Sequence, residues 1–323
     1  MRGLSVVILG AGAGVRMNSA ISKPLHKIGN LEMVNHVIKT AQSLDVEEII
    51  VVVSNDNKIQ MEVAIGNIET VIQSAKNGTA DAARTGFTKI KHKDNDILIM
   101  FGDVPLIKKE TYEAMLSKLD DSCAAAILAF HTSDIKKKYG RLMLNDKGEL
   151  ERIVEYKDAS ETERNNNLCN AGIFLVRGNL LEGFLGEINN NNASNEYYLT
   201  DIVSVAKKHG YGVNFSLAEE NEVMGINSRE ELAAAEAAFQ RNKRKEFMAN
   251  GVTLVDPESV YFSHDTEIGN DVVVEPNVVF LPRVKVQNNV QIKAFSYLEG
   301  CEIKSGAVVG PFARIKPNTI IEN

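Results

Sequence analysis

Apolar residues recur along this chain with three different rhythms, and each predicts a different kind of structure. In the first part, short β-like apolar runs alternate with helical stretches: residues 5–9, then 33–43, then 48–53, with a further strand at 97–101. Such alternation predicts a parallel or mixed sheet covered by helices, here over residues 1–227. Open sheets of this kind bind ligands beyond the carboxyl ends of their strands, so the loops after Leu9 and Phe101 are where chemistry is expected.

The second rhythm begins at Ser228. Its Ser-Arg-Glu-Glu-Leu-Ala-Ala-Ala-Glu-Ala-Ala-Phe pattern, with Glu231 completing a capping box and Arg241, Lys243, Arg244 and Lys245 at the basic end, predicts a linking helix over 228–250. The third rhythm follows Gly251. Ile268, Val274, Phe280, Val286, Ile292 and Leu298 keep a six-residue step, and Val272, Val278, Val284 and Val290 stand four places after their leaders. The phase slips by one residue and resumes at Ile303, Val309, Ile315 and Ile321. A strand alternates every second residue and does not demand an apolar side chain at every sixth. The hexapeptide step therefore predicts a β-helix over 251–323, of about three triangular coils.

Composition narrows the function. With 44% apolar and 24% charged residues the chain can build real cores, and a formal net charge of −7 lacks the basic footprint of a nucleic-acid binder. Cys123, Cys169 and Cys301 are far apart, which suits neither a zinc site nor a redox dithiol. No stretch approaches the roughly 20 apolar residues that span a bilayer, and the amino terminus lacks a signal-peptide pattern; a cytoplasmic location is expected.

The loop Leu9-Gly10-Ala11-Gly12-Ala13-Gly14 follows a strand, and its small residues would let backbone N–H groups approach a phosphate. It is neither the dinucleotide fingerprint nor a P-loop. Arg16 and Lys23 add two cations just beyond it, able to hold a triphosphate and stabilise charge growing on its α-phosphorus. Asp103 ends an apolar strand after Gly102; taken alone such a residue is a turn former, but it also has the chemistry of a magnesium ligand. The six histidines form no triad or metal set and read as structural.

Gly-x-Gly-x-Arg-Met followed by Ser22-Lys23-Pro24-Leu25 resembles the start of bacterial sugar-phosphate nucleotidylyltransferases. The resemblance continues through Gln73, Asn77-Gly78-Thr79-Ala80, residues 101–106, Tyr139-Gly140-Arg141, residues 154–159, Asn170-Ala171-Gly172, residues 196–201 and Gly225-Ile226-Asn227. The whole chain is similar to the bifunctional N-acetylglucosamine-1-phosphate uridylyltransferase/glucosamine-1-phosphate acetyltransferase family. That likeness implies a Rossmann-like, mixed and mostly parallel nucleotidylyltransferase domain, then a left-handed β-helix. It implies transfer of uridylyl from UTP to N-acetylglucosamine 1-phosphate with Mg²⁺, for cell-envelope precursors, and a homotrimer packed through the β-helix.

By the same resemblance, Leu9, Gly10, Ala11, Gly12, Gln73 and Gly78 would read the uracil. Thr79 would lie beside the ligands, with Phe101 at the site, and Asp103 and Asn227 would hold Mg²⁺. Gly140, Glu155 and Asn170 would bind the amino-sugar, and Arg16 and Lys23 would be catalytic. Departures from the family pattern are Ala13, Val15, Ser22, Phe101 and Ala171. A lost hydroxyl near the sugar would relax selectivity. Two alternatives stay open: a nucleotidylyltransferase for another hexose 1-phosphate or nucleotide, and a decayed assembly protein. The family's acetyl transfer uses a histidine and basic groups on later coils, past the Gly-Pro-Phe-Ala-Arg run at 310–314; the last histidine here is His264. Uridylyl transfer without acetyl transfer is the expectation, with Arg314 and Lys316 as remnants or trimer contacts.

Overall fold

The computed structural model describes residues 2–12, 14–120 and 122–323 and divides them into two compact units. The first runs to His26 and resumes over Met33–Ser228; the second is Lys27–Glu32 with Arg229–Asn323.

Buried β-branched and leucine-rich runs give the first unit its strands: β1 Leu4–Leu9, then, beyond the hairpin β2 Lys27–Ile28 and β3 Leu31–Glu32 of the second unit, β4 Glu48–Ser54, β5 Glu69–Gln73 and β6 Asp96–Phe101. β7 Cys123–His131, β8 Arg141–Leu144, β9 Leu150–Val154, β10 Leu168–Arg177 and β11 Gly212–Leu217 follow. The main path is β11-β7-β10-β6-β1-β4-β5, and β8 and β9 extend it from β10. β6, β1, β4 and β5 are parallel neighbours, as are β7 and β11, whereas β10 runs antiparallel to β6 and β7.

Alternate side chains of β1 go to opposite faces, as the two-residue period requires. Val7 and Leu9 join a core with α3 Thr79–Phe87, α6 Gly178–Glu187 and α7 Ile202–Lys208; Val6 and Ile8 join another with α1 Met33–Gln42, α2 Lys58–Ile65 and α4 Lys109–Leu116. The short α5 Glu161–Arg164 is fixed by a capping box between Ser160 and Glu163. Parallel strands covered on both faces leave their carboxyl ends as one open edge, which positions the site described below.

In the second unit α8 covers Arg229–Ala249 and a left-handed β-helix follows. Its two-residue strands stack in parallel, with Leu254, Val274, Ile292 and Val309 on one rung column, Phe280, Leu298 and Ile315 on another, and Ile268, Val286, Ile303 and Ile321 on the third. Val272, Val278, Val284 and Val290 fill the interior and are fully buried. The slipped phase has a backbone cause. Left-handed residues at Asp271, Asn277, Arg283, Asn289, Phe295, Gly300, Gly306, Phe312 and Asn318 each stand two places before a strand, and only the step from Phe295 to Gly300 is five residues.

Two features differ from the sequence reading. The helix ends at Ala249, within the expected 228–250, but the basic run is not its last turn; Arg244 turns inward instead, donating to Glu258 Oε2 at 2.8 Å and to the Val260 carbonyl at 3.0 Å. Residues 27–32, read as part of the first domain, form a hairpin within the second unit. Gly29 and Asn30, both with positive φ, make its tight turn. Gly29 N donates to Glu236 Oε2 at 2.8 Å, and its carbonyl accepts from His264 N at 2.8 Å. A Cβ on Gly29 would come within 2.3 Å of the Phe239 ring, so no other residue fits without displacing that ring.

Candidate active site

The strand ends of the first unit converge on one cleft of about 710 Å³, within the range that takes a small ligand. Its floor is the loop after β1. Gly10 N donates to the Val52 carbonyl at 2.8 Å, tying the loop to β4. The buried Asn57 completes the anchor: its amide donates to the Gly10 carbonyl at 2.8 Å and to Ser22 Oγ at 3.1 Å, while its Oδ1 accepts from Ser54 N at 2.8 Å. Ala13 lies outside the described residues.

Across the loop, Gly102 N donates to the Leu9 carbonyl at 3.0 Å, which sets Asp103 at the end of β6 beside it. Ile226 N donates to the Asp103 carbonyl at 3.0 Å and so delivers Asn227 from far along the chain. The Lys23 ammonium sits between the two side chains, ion-paired with Asp103 Oδ2 and donating to Asn227 Oδ1 at 2.9 Å. Two hard oxygen donors thus already converge on one cation. Among the described residues no group of three or more His, Cys, Asp or Glu could hold a metal by itself. One carboxylate and one amide oxygen are the incomplete donor set that suits Mg²⁺, which keeps waters and takes substrate phosphates as further ligands.

On the other wall, Gln73 at the end of β5 is buried, and Gly78 follows at φ +114. A Cβ on Gly78 would lie 2.6 Å from the Tyr197 carbonyl, so only glycine lets the segment around Tyr197 pass this closely. That segment is held by Tyr197 N donating to the Asn77 carbonyl at 2.7 Å and by Leu199 N donating to Thr79 Oγ1 at 3.0 Å. The Thr79 hydroxyl is therefore engaged in the wall.

At the far end, Glu155 accepts from Thr200 Oγ1 at 3.1 Å. Burial pushes its carboxyl above the usual range; the Thr200 hydroxyl opposes the rise, and Asp201, Asp158 and Glu196 add to it. Gly140 and Asn170 adjoin this end, with Asn170 N donating to the Gly140 carbonyl at 2.9 Å. Gly140 faces Glu155, and Gly172 packs on the Phe101 ring. Arg141 supports the strand start: fully buried, it donates to the carbonyls of Tyr139 and Ile135 at 2.6 and 2.7 Å.

The cleft brings together Leu9, Gly10, Ala11, Gly12, Arg16, Lys23, Gln73, Gly78, Thr79, Phe101, Asp103, Glu155 and Asn227 from the sequence reading. Gly140 and Asn170 stand next to it and do not line it. Pro24, Lys76, Ala82 and Glu196 line it without having been singled out as site residues. Lys76 pairs with Asp56 at 2.7 Å, and the only signal for it was a cation one residue before Asn-Gly-Thr-Ala. A second cavity, of about 720 Å³, opens at the amino ends of β1, β4 and β6 and includes none of these loop residues.

The family described as MobA-like NTP transferase domain matches residues 6–164, and that described as Bacterial transferase hexapeptide (six repeats) matches 265–300. "Bifunctional protein GlmU" of Wolbachia pipientis wMel is 42% identical, over 98% of this chain and 73% of the relative. The protein of that name from Paramagnetospirillum magneticum is 40% identical over 98% of this chain and 71% of the relative. Among solved structures, a 4-diphosphocytidyl-2C-methyl-D-erythritol synthase from Anaerococcus prevotii superposes with a TM-score of 0.54 at 17% identity, over 74% of this chain and 99% of that one; this likeness speaks to fold. Shared sequence across both units, together with a strand-end cleft bearing a paired lysine and aspartate, makes this chain a nucleotidyltransferase that belongs to the GlmU family.

Proposed function

We propose that the cleft transfers a uridylyl group from UTP to N-acetylglucosamine 1-phosphate. The observation that carries this reading is the meeting of Lys23, Asp103 and Asn227 between a base-side wall at Gln73 and Gly78 and a sugar-side wall at Glu155. One phosphate oxygen of the sugar phosphate attacks the α-phosphorus of UTP, a new P–O bond forms, and the bond to pyrophosphate breaks. Such transfers need positioning and charge stabilisation more than covalent help from the protein. Arg16 and Lys23 would neutralise the triphosphate, and the backbone of Leu9–Gly12 and the Gln73 amide would orient the base. Gly140, Glu155 and Asn170 would hold the sugar, and Thr79 would keep the base-side wall closed. Asp103 and Asn227 would hold Mg²⁺, which supplies charge neutralisation between the two phosphates.

Residues 1–227 would carry this reaction, 228–250 would link and 251–323 would assemble the protein as a homotrimer in the cytoplasm. Exposed Val308 and Ile320 on the faces of the β-helix suit packing between copies. No helix among the described residues is long and apolar enough to cross a membrane.

The test is pyrophosphate release from UTP and N-acetylglucosamine 1-phosphate with and without EDTA, beside panels of other nucleotides and hexose 1-phosphates. Release that ignores EDTA, or that favours another sugar or nucleotide, overturns the assignment. Light scattering showing only monomer up to high concentration overturns the trimer.

A further inference from the structure

The atoms that face a nucleotide base decide which base fits, and in this cleft the orientation of one amide is set from behind. Gln73 is 5% exposed, and its Nε2 donates to the Gly78 carbonyl at 3.2 Å and to Asp81 Oδ2 at 2.8 Å. Asp81 stands in the first turn of α3, where the helix dipole favours a carboxylate. An amide nitrogen has two hydrogens, and both have acceptors here. Turning the amide over would set Oε1 against two acceptor oxygens, so the oxygen stays on the side away from Asp81 and Gly78.

We propose that Asp81 is a positioning residue for base choice: by holding Gln73 Nε2 it leaves Oε1, an acceptor only, to address the base. The inference rests on the uridylyl reading above. A base whose ring nitrogen carries hydrogen, as N3 of uracil does, donates to Oε1. Cytosine presents a bare N3 at the same place, and two acceptors face each other without a proton between them. The cleft would reject cytidine nucleotides through an unpaired polar contact, a stronger discrimination than shape alone supplies. Asp81 need not touch the nucleotide, and nothing in its sequence position marked it beside the quoted Asn77-Gly78-Thr79-Ala80.

The experiment measures kcat/KM for UTP and for CTP, with Mg²⁺ and N-acetylglucosamine 1-phosphate, in the wild-type chain, Asp81→Ala and Asp81→Asn. Each preference ratio is taken within one protein, so partial loss of folded enzyme divides out. Asp81→Ala frees the amide to turn, and the UTP-to-CTP ratio should fall about tenfold, the scale of one hydrogen bond, mainly through KM of the nucleotides. Asp81→Asn keeps an acceptor oxygen and should retain the wild-type ratio. Calorimetric binding of UDP and CDP should follow the same order. An unchanged ratio in Asp81→Ala overturns the proposal even if both rates drop, as does a ratio in Asp81→Asn as low as that in Asp81→Ala. If the wild-type chain does not prefer UTP, the uridylyl reading fails before any variant is compared.

Discussion

The ammonium of Lys23 is ion-paired with the carboxylate of Asp103, and both side chains are largely shielded from water, at 11% and 15% exposure. A lysine between two oxygen donors competes with any other cation that would use them. Lys23→Met should therefore leave Mn²⁺ or Mg²⁺ affinity undiminished or tighter by calorimetry, while kcat falls at least ~10²-fold for want of the triphosphate's counter-charge. Asp103→Ala should lose both metal binding and turnover by a comparable factor. A Lys23→Met protein with weakened metal binding would show that the lysine assembles the site and does not compete for it.

Glu155 links pH to stability. Its folded carboxyl titrates above the ordinary range, chiefly through burial, so the folded state holds that proton more tightly than the unfolded chain does. Its contribution is fully present below the ordinary carboxylate pKa and is lost as pH rises through the raised folded value. Glu155→Gln cannot ionise. It should match the wild type near pH 4 and exceed it at pH 8 by on the order of 1 kcal/mol, about 2–4 °C in the transition of the first unit. The sugar-phosphate KM should rise in the same variant, since the acceptor carboxylate is gone. Thermal unfolding at the two pH values, with sugar-phosphate kinetics, checks both halves.

Asn57 tests the loop anchor. Asn57→Ala removes the partners of the Gly10 carbonyl and of Ser54 N together. The expected cost is about 1–3 kcal/mol of stability, from buried polar groups left unpaired, with a several-fold rise in the nucleotide KM and less change in kcat. Denaturant melts beside initial rates separate these effects.

Phe280 tests the β-helix. It is 1% exposed and stacks on Phe262 with ring centroids 5.0 Å apart. Phe280→Ala should destabilise the second unit by roughly 3–5 kcal/mol, because neighbouring coils cannot collapse into the space. Calorimetric unfolding should show the transition of the second unit moving and that of the first staying.

Periodic features were legible in the sequence. β1, β4 and β6, the long helix and the hexapeptide step repeat one physical demand often enough to be read, and the five-residue step from Phe295 to Gly300 was visible as a slipped phase. Of the cleft, Arg16, Lys23 and Asp103 had chemistry of their own, whereas Gln73, Glu155 and Asn227 stood out only through family resemblance. Asn57 and Asp81 gave no pattern, and Lys76 only a cation before Asn-Gly-Thr-Ala, because their roles come from tertiary neighbours: Gly10, Gln73 and Asp56. The hairpin at Lys27–Glu32 has two-residue strands, too short for any period to show. Its Gly29-Asn30 turn was the available signal.

That hairpin gives the protein a waiting time during synthesis. The carbonyl of Gly29 accepts from His264 N, made 235 residues later, and its amide donates to Glu236, made 207 residues later. At ribosomal speeds of about 5–20 residues per second, the hairpin stands without those partners for roughly 10–50 s. Lys23 lies only a few residues upstream on the same stretch of nascent chain. The second unit is thus begun before most of the first has been translated and finished only after all of it, so the two units are made interleaved and not one after the other.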